Sequence, residues 1–160
     1  MANSKNILIY GFGNPGRNDD GLGIQLSEKI EQWAKSIQLT SVSTDSNYQL
    51  NIEDAAEIKN KDLVIFVDAS VESELEDYKL TAVEPSDKTE FTMHSVSPGF
   101  VLHLCKKIYE TSPVTYLLHI KGFEWEFKEG LSAKATKNLE KAFDFIKQFI
   151  MKELDKKKGS

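Results

Sequence analysis

The chain has a single cysteine, Cys105, so an internal disulfide and a cysteine-rich zinc site are both excluded. It has no excess of positive charge. The formal net charge of −5 has the wrong sign for a protein that grips nucleic acid by displacing counterions from phosphates. No apolar run approaches the roughly 20 residues that span a bilayer. The opening residues 1–6 lack the apolar core of a signal peptide and lead directly into a strand-like run. These absences predict a cytoplasmic protein that engages neither membrane nor nucleic acid. There is no internal repeat and no low-complexity linker. What is present is ordinary: 160 residues, 40% apolar and 28% charged, enough for one domain with a buried core. The expected domain spans residues 1–155, with 156–160 as a frayed polar tail, and its size predicts a monomer.

Hydrophobic patterning predicts five strands and four helices. Ile7, Leu8 and Ile9 form a short apolar run that enters a glycine-rich loop, Gly11 to Gly16. Leu26, Ile30, Trp33 and Ile37 then recur at helical spacing. Residues 39–44 are rich in β-branched side chains and read as a second strand, and 49–58 as a short helix with Leu50, Ala55 and Ile58 available to pack. The uninterrupted run 63–67 predicts a central strand covered on both faces. A less apolar strand is expected over 78–83. Ser97-Pro98 marks a helix start, with Val101, Leu104, Cys105 and Ile108 facing inward. A fifth strand follows at 115–120, then a charged connection from Gly122 to Gly130. A last helix begins near Ser132, with Leu139, Ala142, Phe143, Ile146 and Ile150 inward. Strands alternating with helices imply an α/β fold, a largely parallel sheet with helices on both faces.

In such sheets ligands sit outside the carboxyl ends of the strands. Asp20 and Asp68 both lie just beyond apolar strands, so topology can unite what sequence separates. A nucleotide-binding loop would use Gly11, Gly13 and Gly16 to bring amides near a phosphate, but here Asp19 and Asp20 follow, and they repel a phosphate. The helix starts late for a Gly-x-Gly-x-x-Gly motif, which argues against a nucleotide or flavin. Carboxylates and imidazole suit borderline metals such as nickel or zinc, and Asp20, Asp68 and His94 are the candidate ligands. Each also has an ordinary reading. Asp20 before Gly21 is equally a helix cap, Asp68 a turn cap, and His94 a loop histidine. Asp19 reads as a cap of the first helix. His103 falls off the buried face of its helix, His119 reads as a hydrogen-bonded strand residue, and Cys105 as a buried, inert thiol.

Taken in order, these segments resemble the hydrogenase maturation endopeptidases. The carrying residues are Gly11-Phe12-Gly13-Asn14 with Asp19-Asp20-Gly21-Leu22-Gly23, Asp68-Ala69 after a hydrophobic run, Thr92-Met93-His94-Ser95, and Ile120-Lys121-Gly122 leading to Gly130-Leu131-Ser132. The resemblance covers nearly the whole chain. It implies a three-layer α/β/α sandwich whose five-stranded mixed sheet has one antiparallel strand, assigned here to 78–83. It also implies an endopeptidase that removes the carboxy-terminal extension of a nickel-iron hydrogenase large-subunit precursor after nickel insertion. Asp20, Asp68 and His94 would then be both metal ligands and catalytic residues, the nickel would come with the precursor, and that precursor would be the partner.

Two other readings compete. Peptidyl-tRNA hydrolases also open with a strand and a Gly-Asn-Pro-Gly loop like Gly13 to Gly16, but they need a Thr-Arg-His-Asn-type element where this chain has Asn18-Asp19-Asp20-Gly21. The acidic balance is also wrong for holding tRNA. A catalytically silent scaffold of the same fold is the second alternative.

Overall fold

The expected alternation is realised in the computed structural model, which describes residues 5–88 and 96–156. Strands β1 (Ile7–Phe12), β2 (Val42–Asn47), β3 (Leu63–Ser70), β4 (Tyr78–Ala82) and β5 (Val114–Lys121) form one sheet in the order β2-β1-β3-β5-β4. β1 runs parallel to both β2 and β3, and β3 parallel to β5. β4 is antiparallel to β5, so the one antiparallel strand falls in the segment assigned to it above. The helices are α1 (Leu22–Ser36), α2 (Asp54–Ile58), α3 (Pro98–Tyr109) and α4 (Ala133–Asp155).

Strand side chains alternate between the two faces, which sorts the core into two layers. Ile7, Ile9, Ile65, Val67, Leu118 and Ile120 face α1 and α4, against Leu26, Ile30, Leu139, Ala142, Ile146 and Ile150. Leu8, Tyr10, Val64 and Phe66 face α2 and α3, against Ala55, Ile58, Val101, Leu102 and Cys105. Most of these side chains are fully buried. Each such aliphatic side chain contributes on the order of 1.5–3 kcal/mol. The second layer contains one polar pair: the Tyr10 hydroxyl donates to Asp54 Oδ1 at 2.9 Å. Among the described residues, no helix is long and apolar enough to cross a membrane.

Four local expectations are corrected. β2 begins three residues later than predicted, because Leu39 lies in the turn that closes off α1. Its amide donates to the Ala34 carbonyl at 2.8 Å, and Gln38 takes left-handed backbone with φ of 56°. Ile37 falls in that same turn and is 49% exposed instead of packed. The helix expected over 49–58 is helical only from Asp54, whose carboxylate accepts from the Asn51 amide at 2.7 Å and holds the preceding residues in a turn. On α3 the buried residues are Val101, Leu102 and Cys105, while Ile108 is 59% exposed. It lies in the last turn, just before Glu110 ends the helix in left-handed backbone. The other helix starts hold. Ser97 accepts from the Phe100 amide with Pro98 following, and Ser132 accepts from the Ala135 amide.

Candidate active site

The loop after β1 sets the first carboxylate. Gly13 has a φ of +140°, a conformation that L side chains rarely adopt, and a Cβ there would run into the Asp20 carbonyl. Gly23, in the first turn of α1, packs on the backbone so closely that a Cβ would strike the carbonyls of Val67 and Phe12. The two glycines thus press the start of α1 against the carboxyl ends of β1 and β3. Residues 18–21 form a 3-10 turn leading into the helix. Asp20 Oδ2 accepts from the Asn14 amide at 2.8 Å, and Asn14 Oδ1 accepts from the Gly16 amide at 2.9 Å, so the loop is closed on itself.

Asp68 stands in the carboxyl-terminal half of β3, one residue past the Gly11–Val67 pairing with β1. Alternation puts it on the α2/α3 face, in line with Val64 and Phe66. Its carboxyl is pushed up to about 7, first by burial and then by the Asp20 carboxylate, against a smaller opposing hydrogen bond from the Ala69 amide. The topology has therefore brought Asp20 and Asp68 within electrostatic reach. Two carboxylates in a partly buried site repel each other, and a proton or a divalent cation relieves that repulsion. This donor chemistry fits a cation. Neither residue caps α1: its N-cap position is Gly21, with no side-chain cap bond.

His94, the third expected ligand, lies outside the described residues, with Thr92, Met93 and Ser95. Among the described residues, no group of three or more His, Cys, Asp or Glu side chains is arranged to hold a metal ion. His119 is the register neighbour of Asp68 on β5 and does not complete such a set. Its Nε2 pairs with Thr81 Oγ1 at 2.9 Å, the hydrogen-bonded strand role expected of it. Burial, then the nearby Lys79 ammonium, hold its imidazole below the ordinary histidine value. Cys105 is buried, and burial pushes its thiol up, which keeps it unreactive.

Asp19 corrects its expected role as a cap of the first helix. It is fully buried and points away from α1 into the connection between β5 and α4. Its Oδ2 accepts from the amides of Phe123 (2.7 Å) and Glu124 (2.9 Å) and from the Ser132 hydroxyl (2.8 Å); Oδ1 accepts from the Ser132 amide (2.7 Å). Burial alone would raise this carboxyl, but the bonds from Ser132, Phe123 and Glu124 outweigh it and hold it below the ordinary value. Asn18 works alongside it. Its side chain accepts from the Glu126 amide and donates to the Gly130 carbonyl, both at 3.0 Å. Sequence reasoning missed this scaffold, since its partners, mostly backbone groups, are more than a hundred residues away.

A cavity of about 710 Å³ lies elsewhere. It lies between the far end of α1 and the first half of β2, lined by Glu31, Lys35, Gln38 and Val42 among others. Its walls carry none of the candidate site residues.

No protein-family model matches the sequence, and no curated protein matches it significantly. Solved structures do match. A nickel-iron hydrogenase maturation protease, HycI, from Thermococcus kodakarensis superposes with a TM-score of 0.73 at 20% identity, over 92% of this chain and 94% of that one. The hydrogenase maturating endopeptidase HybD from E. coli gives 0.73 at 18% identity, over 91% and 92%. A hydrogenase 2 maturation peptidase from a Thaumarchaeota archaeon gives 0.61 at 18%, over 91% and 98%. The chain thus has the mostly parallel five-stranded α/β fold seen in hydrogenase maturation proteases, across nearly its full length.

Proposed function

We propose that this protein is a hydrogenase maturation endopeptidase, and that it removes the carboxy-terminal extension of a nickel-iron hydrogenase large-subunit precursor once nickel is in place. The observation that carries this reading is the convergence of Asp20 and Asp68 at the carboxyl edge of β1 and β3, in a fold shared with such proteases. Nickel is here part of the substrate, held by the precursor's own cysteines. Asp20, Asp68 and His94 complete its ligand set, so an empty precursor lacks the contact that a loaded one makes.

The carboxylates also suit hydrolysis. Peptide cleavage adds water across the C–N bond, and a proton must leave the water and reach the departing amine. In the metal-free protein burial and the Asp20 charge push the Asp68 carboxyl up to about 7. Nickel arriving with the precursor would displace its proton and leave an ionised carboxylate beside the attacking water. Asp20 Oδ2 accepts from the Asn14 amide, which fixes the carboxylate's orientation. The Asp19 and Asn18 network holds the segment carrying Asp20 still while the precursor docks.

The test is the intact mass of a precursor incubated with this protein, once nickel-loaded and once nickel-free. Loss of a carboxy-terminal peptide from the loaded form alone is the expected result. Cleavage of both forms would remove the nickel requirement, and cleavage of neither would remove the protease assignment.

A further inference from the structure

Two aromatic side chains near the site have no place in the core. Phe127 is 86% exposed and Phe123 is 38% exposed, both on the connection between β5 and α4. Exposed aromatics on a loose loop would carry little meaning, but this loop is fixed. Besides the bonds to Asn18 and Asp19 already described, the Asn18 amide donates to the Lys128 carbonyl (2.8 Å), the Asp19 amide to the Glu124 carbonyl (3.0 Å), and Arg17 Nε to the Trp125 carbonyl (2.9 Å). The segment 17–19 that anchors the loop leads straight into Asp20. The loop that carries the rings is therefore tied to the segment that precedes Asp20.

The charge around the rings is also specific. The Arg17 guanidinium lies 5.5 Å from the Phe127 centroid, and the ammonium groups of Lys121 and Lys134 lie 5.8 and 5.5 Å from that of Phe123. Lys121 also donates to the carbonyls of Val71 and Glu72, which ties the loop to the turn after β3. Val71 there is 71% exposed. Rigid aromatics beside arginine are typical anchors of protein interfaces, since they lose little freedom on binding.

We propose that Phe123 and Phe127, framed by Arg17, Lys121 and Lys134, are the docking anchor for the nickel-loaded precursor protein. This rests on the function proposed above. Exposed Glu124, Glu126 and Glu129 alternate with the rings on the same loop. The complementary surface on the precursor is therefore an apolar pocket for two rings with charges of both signs at its rim, its carboxylates meeting Arg17, Lys121 and Lys134. Docking there seats the precursor's extension against Asp20 and Asp68, because the loop and Asp20 share one hydrogen-bonded scaffold. The protein then recognises the folded body of its substrate as well as the peptide it cuts.

The experiment measures KM and kcat for nickel-loaded precursor with wild type, a Phe123→Ser/Phe127→Ser double variant, Phe127→Tyr and Lys134→Glu. A melting temperature for each variant establishes that it folds. The double variant should raise KM about tenfold with a much smaller change in kcat, and Phe127→Tyr should retain most of the affinity. Lys134→Glu should raise KM by about threefold and reduce its dependence on salt. A folded double variant with wild-type KM, when wild type cleaves, would overturn the docking assignment and leave the protease reading standing. A wild-type protein that fails to cleave loaded precursor would overturn both.

Discussion

Asp20 and Asp68, brought together at the carboxyl edge of the sheet from separate strand ends, repel one another strongly enough to help hold the Asp68 carboxyl at about 7. Burial is the larger cause and the Asp20 charge the second. A core-facing carboxylate with a like charge beside it stabilises nothing in the metal-free protein. The proposed function accounts for its presence in the fold by the cation it would meet.

The first prediction concerns stability against pH in metal-free protein. Asp68 titrates near 7 when folded and near 3.8 when unfolded. Between those values the native state holds a proton that the unfolded state lacks, so stability falls as pH rises from about 4 to about 7 and then levels. The full effect is at most on the order of 4 kcal/mol. Asp68→Asn should remove this slope and raise stability at pH 8. Urea denaturation from pH 4 to 8 checks it, and a variant with the wild-type slope would contradict the assignment.

The coupling itself is open to direct titration. In Asp20→Asn, the carboxyl-carbon resonance of Asp68 should titrate below the wild-type midpoint of about 7 yet above 3.8, because burial persists without the neighbouring charge. An unmoved midpoint would mean that the two carboxylates do not interact.

Asp19 should behave in the opposite sense. Its folded-state carboxyl is lowered, so its contribution is present above its unfolded value and is lost as pH falls through the lowered one. Asp19→Asn should cost about 2–3 kcal/mol at neutral pH, since one acceptor oxygen that serves buried amides becomes a donor. The variant should also be less sensitive to acid than wild type. Equilibrium unfolding at pH 7 and pH 3 measures both effects, and a loss under about 0.5 kcal/mol would show that the loop does not depend on this carboxylate.

Much of this was legible in the residues, for identifiable reasons. Asp68 follows an apolar run whose burial on both faces marks a central strand, so its place at the sheet edge follows from topology. Ser97-Pro98 and Ser132 are caps whose chemistry is local, and the structure keeps them. What failed depends on geometry that a sequence window does not contain. Ile37 and Ile108 keep helical spacing but sit in last turns that end in left-handed backbone, so the pattern outlasts the packing. Apart from the Ser132 hydroxyl, Asp19 and Asn18 bind main-chain groups of a distant loop, and backbone amides leave no side-chain signature. The exposure of Phe123 and Phe127 was equally hidden, since aromatic residues are more often buried than shown.

The most direct test of the account is a single cleavage assay on nickel-loaded precursor, read by intact mass. Wild type, Asp20→Asn, Asp68→Asn and His94→Ala would be compared, each shown to be folded by its melting curve. The account predicts that wild type releases a carboxy-terminal peptide and that the three variants release at most about a hundredth as much in the same time. Release at the wild-type rate by a folded Asp68→Asn protein would contradict it, and would place the chemistry away from the paired carboxylates.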